Sequence, residues 1–275
     1  MNTRIIIFSF VILYFPLLSQ NMEKLGKKDM LKINGGFNFN SIYYDPYGIP
    51  PRRDPFTWYL SGNVNISLLD WSIPFSYSYS NQHGTYTQPF NQYGIAPQYK
   101  WFKGYAGYCN MTFSPYTLAG HTFLGGGAEL NPGNWKIAAM YGRLKEAVQY
   151  DVLNSSDVNM SYKRMGCGAK VGYEKNGYGL HFILFKANDD ASSLLYIPTN
   201  SSIQPQNNTT VSVQAKTKVS KLISYETEYA ISGFTKNILS EKDTTHISKN
   251  FLPELFKIKT ASQFFDAWKN ALTFH

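Results

Sequence analysis

From Phe56 to Leu68 the chain alternates residue by residue between two classes. Phe56, Trp58, Leu60, Gly62, Val64, Ile66 and Leu68 fall on one side, and Thr57, Tyr59, Ser61, Asn63, Asn65 and Ser67 on the other. A period of two is the signature of a β-strand with one apolar and one polar face. Soluble sandwich strands run to about five or six residues, whereas a tilted strand that crosses a bilayer needs roughly nine to eleven. The length of this stretch therefore predicts a membrane wall strand.

The same pattern recurs along the chain. It predicts strands from Met30 to Tyr43, Phe56 to Leu68, Trp71 to Ser80, Tyr93 to Trp101, Gly104 to Phe113, His121 to Leu130 and Trp135 to Lys145. Further strands follow over Arg164 to Tyr173, Tyr178 to Leu184, Val211 to Ala215 and Ile223 to Ile231. Pro97 weakens the fourth, since proline cannot donate to a ladder. Short connections near 69, 103, 132, 175 and 220 alternate with long ones near 50, 86, 117, 153 and 198. Tight turns at one end and large loops at the other predict an all-β, up-and-down antiparallel transmembrane β-barrel of about 11–12 strands. Beyond Phe234 the pattern changes, and Phe264, Phe265, Trp268 and Leu272 recur at helical steps. The expected organisation is a cleaved signal peptide over 1–20, a periplasmic linker over 21–29, barrel strands over 30–233, and a polar loop with an amphipathic helical tail over 234–275.

Composition agrees with an all-β chain: of 275 residues, 21 are Tyr, 19 Phe and 21 Gly, and only 16% are charged. Residues Met1–Arg4 are basic and Ile5–Leu18 apolar, the order of a secretory signal whose core is shorter than the roughly 20 residues of a spanning helix. No other apolar run of that length follows, so a membrane location requires crossing by strands. The expected location is the cell outer membrane. The net charge of +8 is scattered, with no basic helix or zinc spacing, which argues against a nucleic-acid partner.

With this pattern, one side of each strand faces lipid and the other a lumen. Phe56, Trp58, Leu60, Val64, Ile66, Ile73, Phe75 and Tyr77 are the candidate lipid-facing residues. Lys32, Lys100, Lys136, Arg164, Lys170 and Lys216, with Glu129, Glu226 and Glu228, are the candidate lumen-facing charges; in a water-filled pore their positive excess would favour anions, and in a filled one they would pair. Cys109 and Cys167 read as small hydrophobes, not a disulfide framework. Gly125–Gly127 lies within a strand and lacks the Lys-Ser/Thr of a phosphate loop. His121 and His181 lack a second ligand at metal spacing, and Asp189-Asp190 reads as a solvated loop. No catalytic, cofactor or metal residues are assigned.

The run from Trp101 to Gly127, continuing through Glu129–Lys136 and Ala139–Arg143, resembles uncharacterised outer-membrane β-barrel proteins of the Bacteroidota. That resemblance implies location and fold, and no enzymatic mechanism. In those proteins further strands follow the stretch similar to Ala261–Phe274, so the chain is expected to be the amino-terminal part of a larger barrel; a complete twelve-strand barrel is the alternative. The expected function is a channel or transport barrel, or its amino-terminal fragment, with a non-conducting, secretion-associated or structural barrel as the alternative. The expected partners are the lipid bilayer, remaining barrel strands and other envelope proteins, the last through Phe264, Phe265 and Trp268.

Overall fold

The computed structural model describes residues 31–48, 54–81, 89–150, 160–199, 201–220, 223–240 and 262–274. The expected signal peptide and linker, Met30, and the segment around Lys242 and His246 lie outside them. The described residues form one antiparallel sheet of strands β1 (Leu31–Tyr43), β2 (Phe56–Leu68), β3 (Trp71–Ser80), β4 (Gln92–Ile95), β5 (Gln98–Tyr99), β6 (Phe102–Thr112), β7 (Ala119–Leu130), β8 (Trp135–Lys145), β9 (Arg164–Lys175), β10 (Tyr178–Asp189), β11 (Asn207–Lys218), β12 (Ile223–Thr235) and β13 (Ser262–Phe274). Each strand pairs with its sequence neighbours in a simple meander. β4 and β5 lie in line between β3 and β6, so the thirteen strands occupy twelve positions across the sheet.

The break between β4 and β5 is the work of Pro97, which has no N–H to give the ladder. The Ala96 amide instead donates to the Pro74 carbonyl, and the Pro97 carbonyl accepts from Gly104. The single strand expected over Tyr93–Trp101 is therefore two short pieces. Its hairpin turn falls at Lys100-Trp101, not near 103, with Lys100 at φ +46°. The Asn176-Gly177 turn has positive φ at both residues, +53° and +85°, the type I′ geometry that matches strand twist.

The largest correction concerns the tail. Residues 262–274 are not an amphipathic helix but strand β13, in register with β12 from Thr235↔Ser262 to Ile223↔Phe274. Side chains across the pair close on one another: the Tyr225 hydroxyl donates to Asn270 Oδ1 at 2.5 Å, and Trp268 Nε1 to Thr227 Oγ1 at 2.9 Å. In a strand Phe264 and Trp268 share a face, while Phe265 points to the other.

Register fixes two continuous faces. One carries Leu31, Ile33, Phe37 and Phe39 of β1, the Phe56–Leu68 stripe of β2, Ile73, Phe75 and Tyr77 of β3, then Ile137 and Tyr141, Val171, Phe182 and Leu184, Val213, Tyr229 and Trp268. Many of these are exposed, among them Phe182 at 57% and Trp268 at 69%. The opposite face is polar in β1–β3, where Asn34, Asn63, Asn65, Ser67, Ser72 and Ser76 follow one another across the strands.

From β6 to β12 that second face is folded in on itself. Ser114, just past β6, bonds Glu228 of β12, and the Phe113 carbonyl accepts from Lys170 Nζ of β9 at 2.8 Å. β6 and β12 are six steps apart, roughly 29 Å in a flat sheet at about 4.8 Å per step, so the sheet must roll with this face concave. Inside the curve Cys109, Met111, Phe113, Leu118, Phe123, Ala138, Met140, Ile183, Phe185 and Ala187 form one buried cluster. Burial of each large side chain there stabilises by about 1.5–3 kcal/mol. Glycines make the space: a Cβ on Gly127 would meet the Met111 sulfur, one on Gly142 the Phe123 ring, and one on Gly168 the Phe113 ring. Among the described residues β1 and β13 each pair on one side only.

Candidate functional site on the concave face

Alternation along each strand brings Glu129, Lys136, Arg164, Lys170, Glu174, Asp189, Lys216, Glu226, Glu228 and Lys269 to one side, and register sets several of them next to one another. Arg164 and Asp189 face each other across β9 and β10 and make a two-pronged pair, Nε to Oδ1 at 2.6 Å and the second nitrogen to Oδ2 at 2.9 Å. The same guanidinium donates to Gln206 Oε1. Such a planar fork is the strong form of an ion pair. Farther along the face, Lys216 lies 3.9 Å from Glu174 and 3.6 Å from Glu226, and Lys269 lies 3.7 Å from Glu226.

Between these pairs runs a buried polar row across three strands, His181, Gln214 and Glu228, each facing the next by register. Glu228 is fully buried. Its Oε1 accepts from the hydroxyls of Ser114 and Ser212, the latter at 3.0 Å. Gln214 donates to Glu226, and His181 Nε2 lies 2.9 Å from Glu174 Oε1. The His181 ring rests on Gly172, where a Cβ would collide with Nδ1.

The connection between β6 and β7, residues 113–118, crosses this face as a strap. Leu118 is fully buried and Phe113 nearly so. Ser114 ties it to β12 and Lys170 holds the Phe113 carbonyl. Hydrogen bonds to charged groups are each worth about 1.5–3 kcal/mol.

The expected interior charges come together with one exception. Lys32, Lys136, Arg164, Lys170, Lys216, Glu129, Glu226 and Glu228 share the concave side. Glu129 accepts from the Tyr105 hydroxyl at 2.8 Å. Lys100 does not join them, because it sits in the β5–β6 turn, 3.9 Å from Asp70 of the neighbouring turn and over the Tyr99 ring. Phe56, Trp58, Leu60, Val64, Ile66, Ile73, Phe75 and Tyr77 all lie on the opposite face. Phe264 and Trp268 join that face and Phe265 does not, so the three cannot act as one patch.

Sequence reasoning passed over Ser114, Glu174, His181, Gln214, Ser212, Asp189 and Lys269 as partners. Strand parity places the strand residues on the inner face, but the inward course of residues 113–118 leaves no periodic trace. Asp190, just past β10, accepts from the Ser192 hydroxyl and amide, which hold its carboxyl below the usual range. Both thiols are free, Cys109 buried in the core and Cys167 exposed on the opposite face. Among the described residues no group of three or more metal-ligating side chains converges. No protein-family model, curated protein or solved structure matches this chain.

Proposed function

We propose that the chain forms the wall of an integral outer-membrane β-barrel and that it acts as a channel or transport barrel. The observation that carries this reading is the division of the sheet into two faces. One exposes Phe, Tyr, Trp, Leu, Ile and Val on β1–β3 and again on β8–β13, far more than a soluble surface presents. The other hides paired charge. Lipid is the solvent that matches the first face, and strands of 10 to 13 residues match the span of a bilayer. Short turns at one rim and long connections at the other agree with periplasmic and extracellular ends. The Asn- and Ser-lined side of β1–β3 is the candidate solute path.

A second reading, a non-conducting barrel that binds envelope partners, is favoured by the strap and by the packed cluster within β6–β10, which fill that part of the interior. Two measurements test the pair. The protein is expected in the outer-membrane fraction, extractable only by detergent and migrating differently before and after boiling; recovery in the soluble fraction would overturn both readings. Discrete conductance in a planar bilayer supports the channel, and a silent bilayer with a stable co-purifying protein supports the partner-binding barrel.

A further inference from the structure

The membrane-facing side of β9–β11 changes character near its long-connection rim. Along β10 the outward residues are Leu180, Phe182, Leu184 and then Lys186, three positions before the strand ends at Asp189. Lys186 opens into a cavity of about 460 Å³ lined by Tyr141, Cys167, Asn188, Asn207 and Ile238 among others. Ile238 covers it from the segment after β12, held there by its amide bonding the Pro205 carbonyl at 2.9 Å. Among the described residues no carboxylate lines the cavity. Another basic residue on the same face, Arg143, is engaged by the Tyr108 hydroxyl and by Glu146 at 3.2 Å. Among the described residues nothing hydrogen-bonds or pairs with the Lys186 ammonium.

An unpaired ammonium on a lipid-facing wall is costly at the bilayer centre, and it is tolerated near the interface, where the stem lies along the apolar wall and the head reaches polar groups. The geometry points to a binding site for the phosphate headgroup of a membrane lipid. Lys186 carries the anion, and Leu184 and Phe182 underlie the acyl chain; Asn188, which donates to the Asp189 carbonyl, and Asn207, which donates to Asn188 Oδ1, each keep a second amide hydrogen for the phosphate. This inference rests on the membrane reading above. Charge complementarity and continuity with the apolar wall select a lipid over a free anion, since a soluble phosphate would gain nothing from the strip beneath.

Native mass spectrometry of the full chain in an uncharged detergent, with limiting phosphatidylglycerol, tests it. Wild-type protein and Lys186→Arg are expected to retain a phospholipid that Lys186→Gln holds about tenfold more weakly. Diacylglycerol, with the same tails and no phosphate, is expected not to be retained. Unchanged folded-to-boiled migration of Lys186→Gln shows that its fold is intact. Equal retention by Lys186→Gln, or displacement of the lipid by inorganic phosphate, overturns the lipid site while leaving the membrane reading in place. Recovery of the protein without detergent overturns both.

Discussion

At the scale of single residues, the concave face depends on side chains that lack alternatives. Glu228 accepts from two hydroxyls on different elements, so Glu228→Ala strands Ser212 in a buried setting and leaves Ser114 with the Thr117 hydroxyl as its partner. The expected loss is about 1–3 kcal/mol per unsatisfied group, read as a lower temperature for conversion of the folded band; Glu228→Gln keeps an acceptor and should lose less. Gly172 is a sharper case. A methyl there lands on His181 Nδ1, so Gly172→Ala should destabilise by about 1–3 kcal/mol, and adding His181→Ala should recover part of that loss. Additive losses in the double variant would mean that the ring does not rest on Gly172.

At the scale of elements, what the sequence made legible was the period-two stripe wherever both classes ran unbroken. β2 and β3 were readable for that reason, and their shared apolar face follows from parity alone. β13 was not, because Asp266 and Asn270 interrupt its outward stripe while Phe264, Phe265, Trp268 and Leu272 also fit helical spacing. Its state is decided by pairing with β12, a partner distant in sequence, which no local window contains. Single cysteines placed from 263 to 270 are therefore expected to label in a two-residue rhythm with a membrane-restricted reagent, Phe264 and Trp268 positions reacting and Phe265 not. A three- to four-residue rhythm would restore the helix. The faces of β2 permit a parallel test: Leu60→Arg should cost about 2–4 kcal/mol if it lies near mid-bilayer and block membrane assembly, while Asn63→Arg should assemble normally.

At the scale of the whole molecule, the polar row and the strap were only half visible beforehand, since strand parity gives a residue's side of the sheet but not how far the sheet rolls. The contact of residues 113–118 with β9 and β12 supplies that curvature. If the proposed channel conducts, a double Ser114→Ala, Lys170→Gln variant should show larger or more frequent openings than wild type, and identical traces would mean that the strap does not obstruct the path. The same connectivity also orders assembly in time. Among the described residues every long strand pairs with the next along the chain, with β4 and β5 sharing one place between β3 and β6, so the wall can grow hairpin by hairpin with little loop-closure entropy to overcome. The Ser114–Glu228 bond joins residues 114 apart, so it forms only after β12 has been laid down, and its hydroxyl serves as a clock for a late stage of folding.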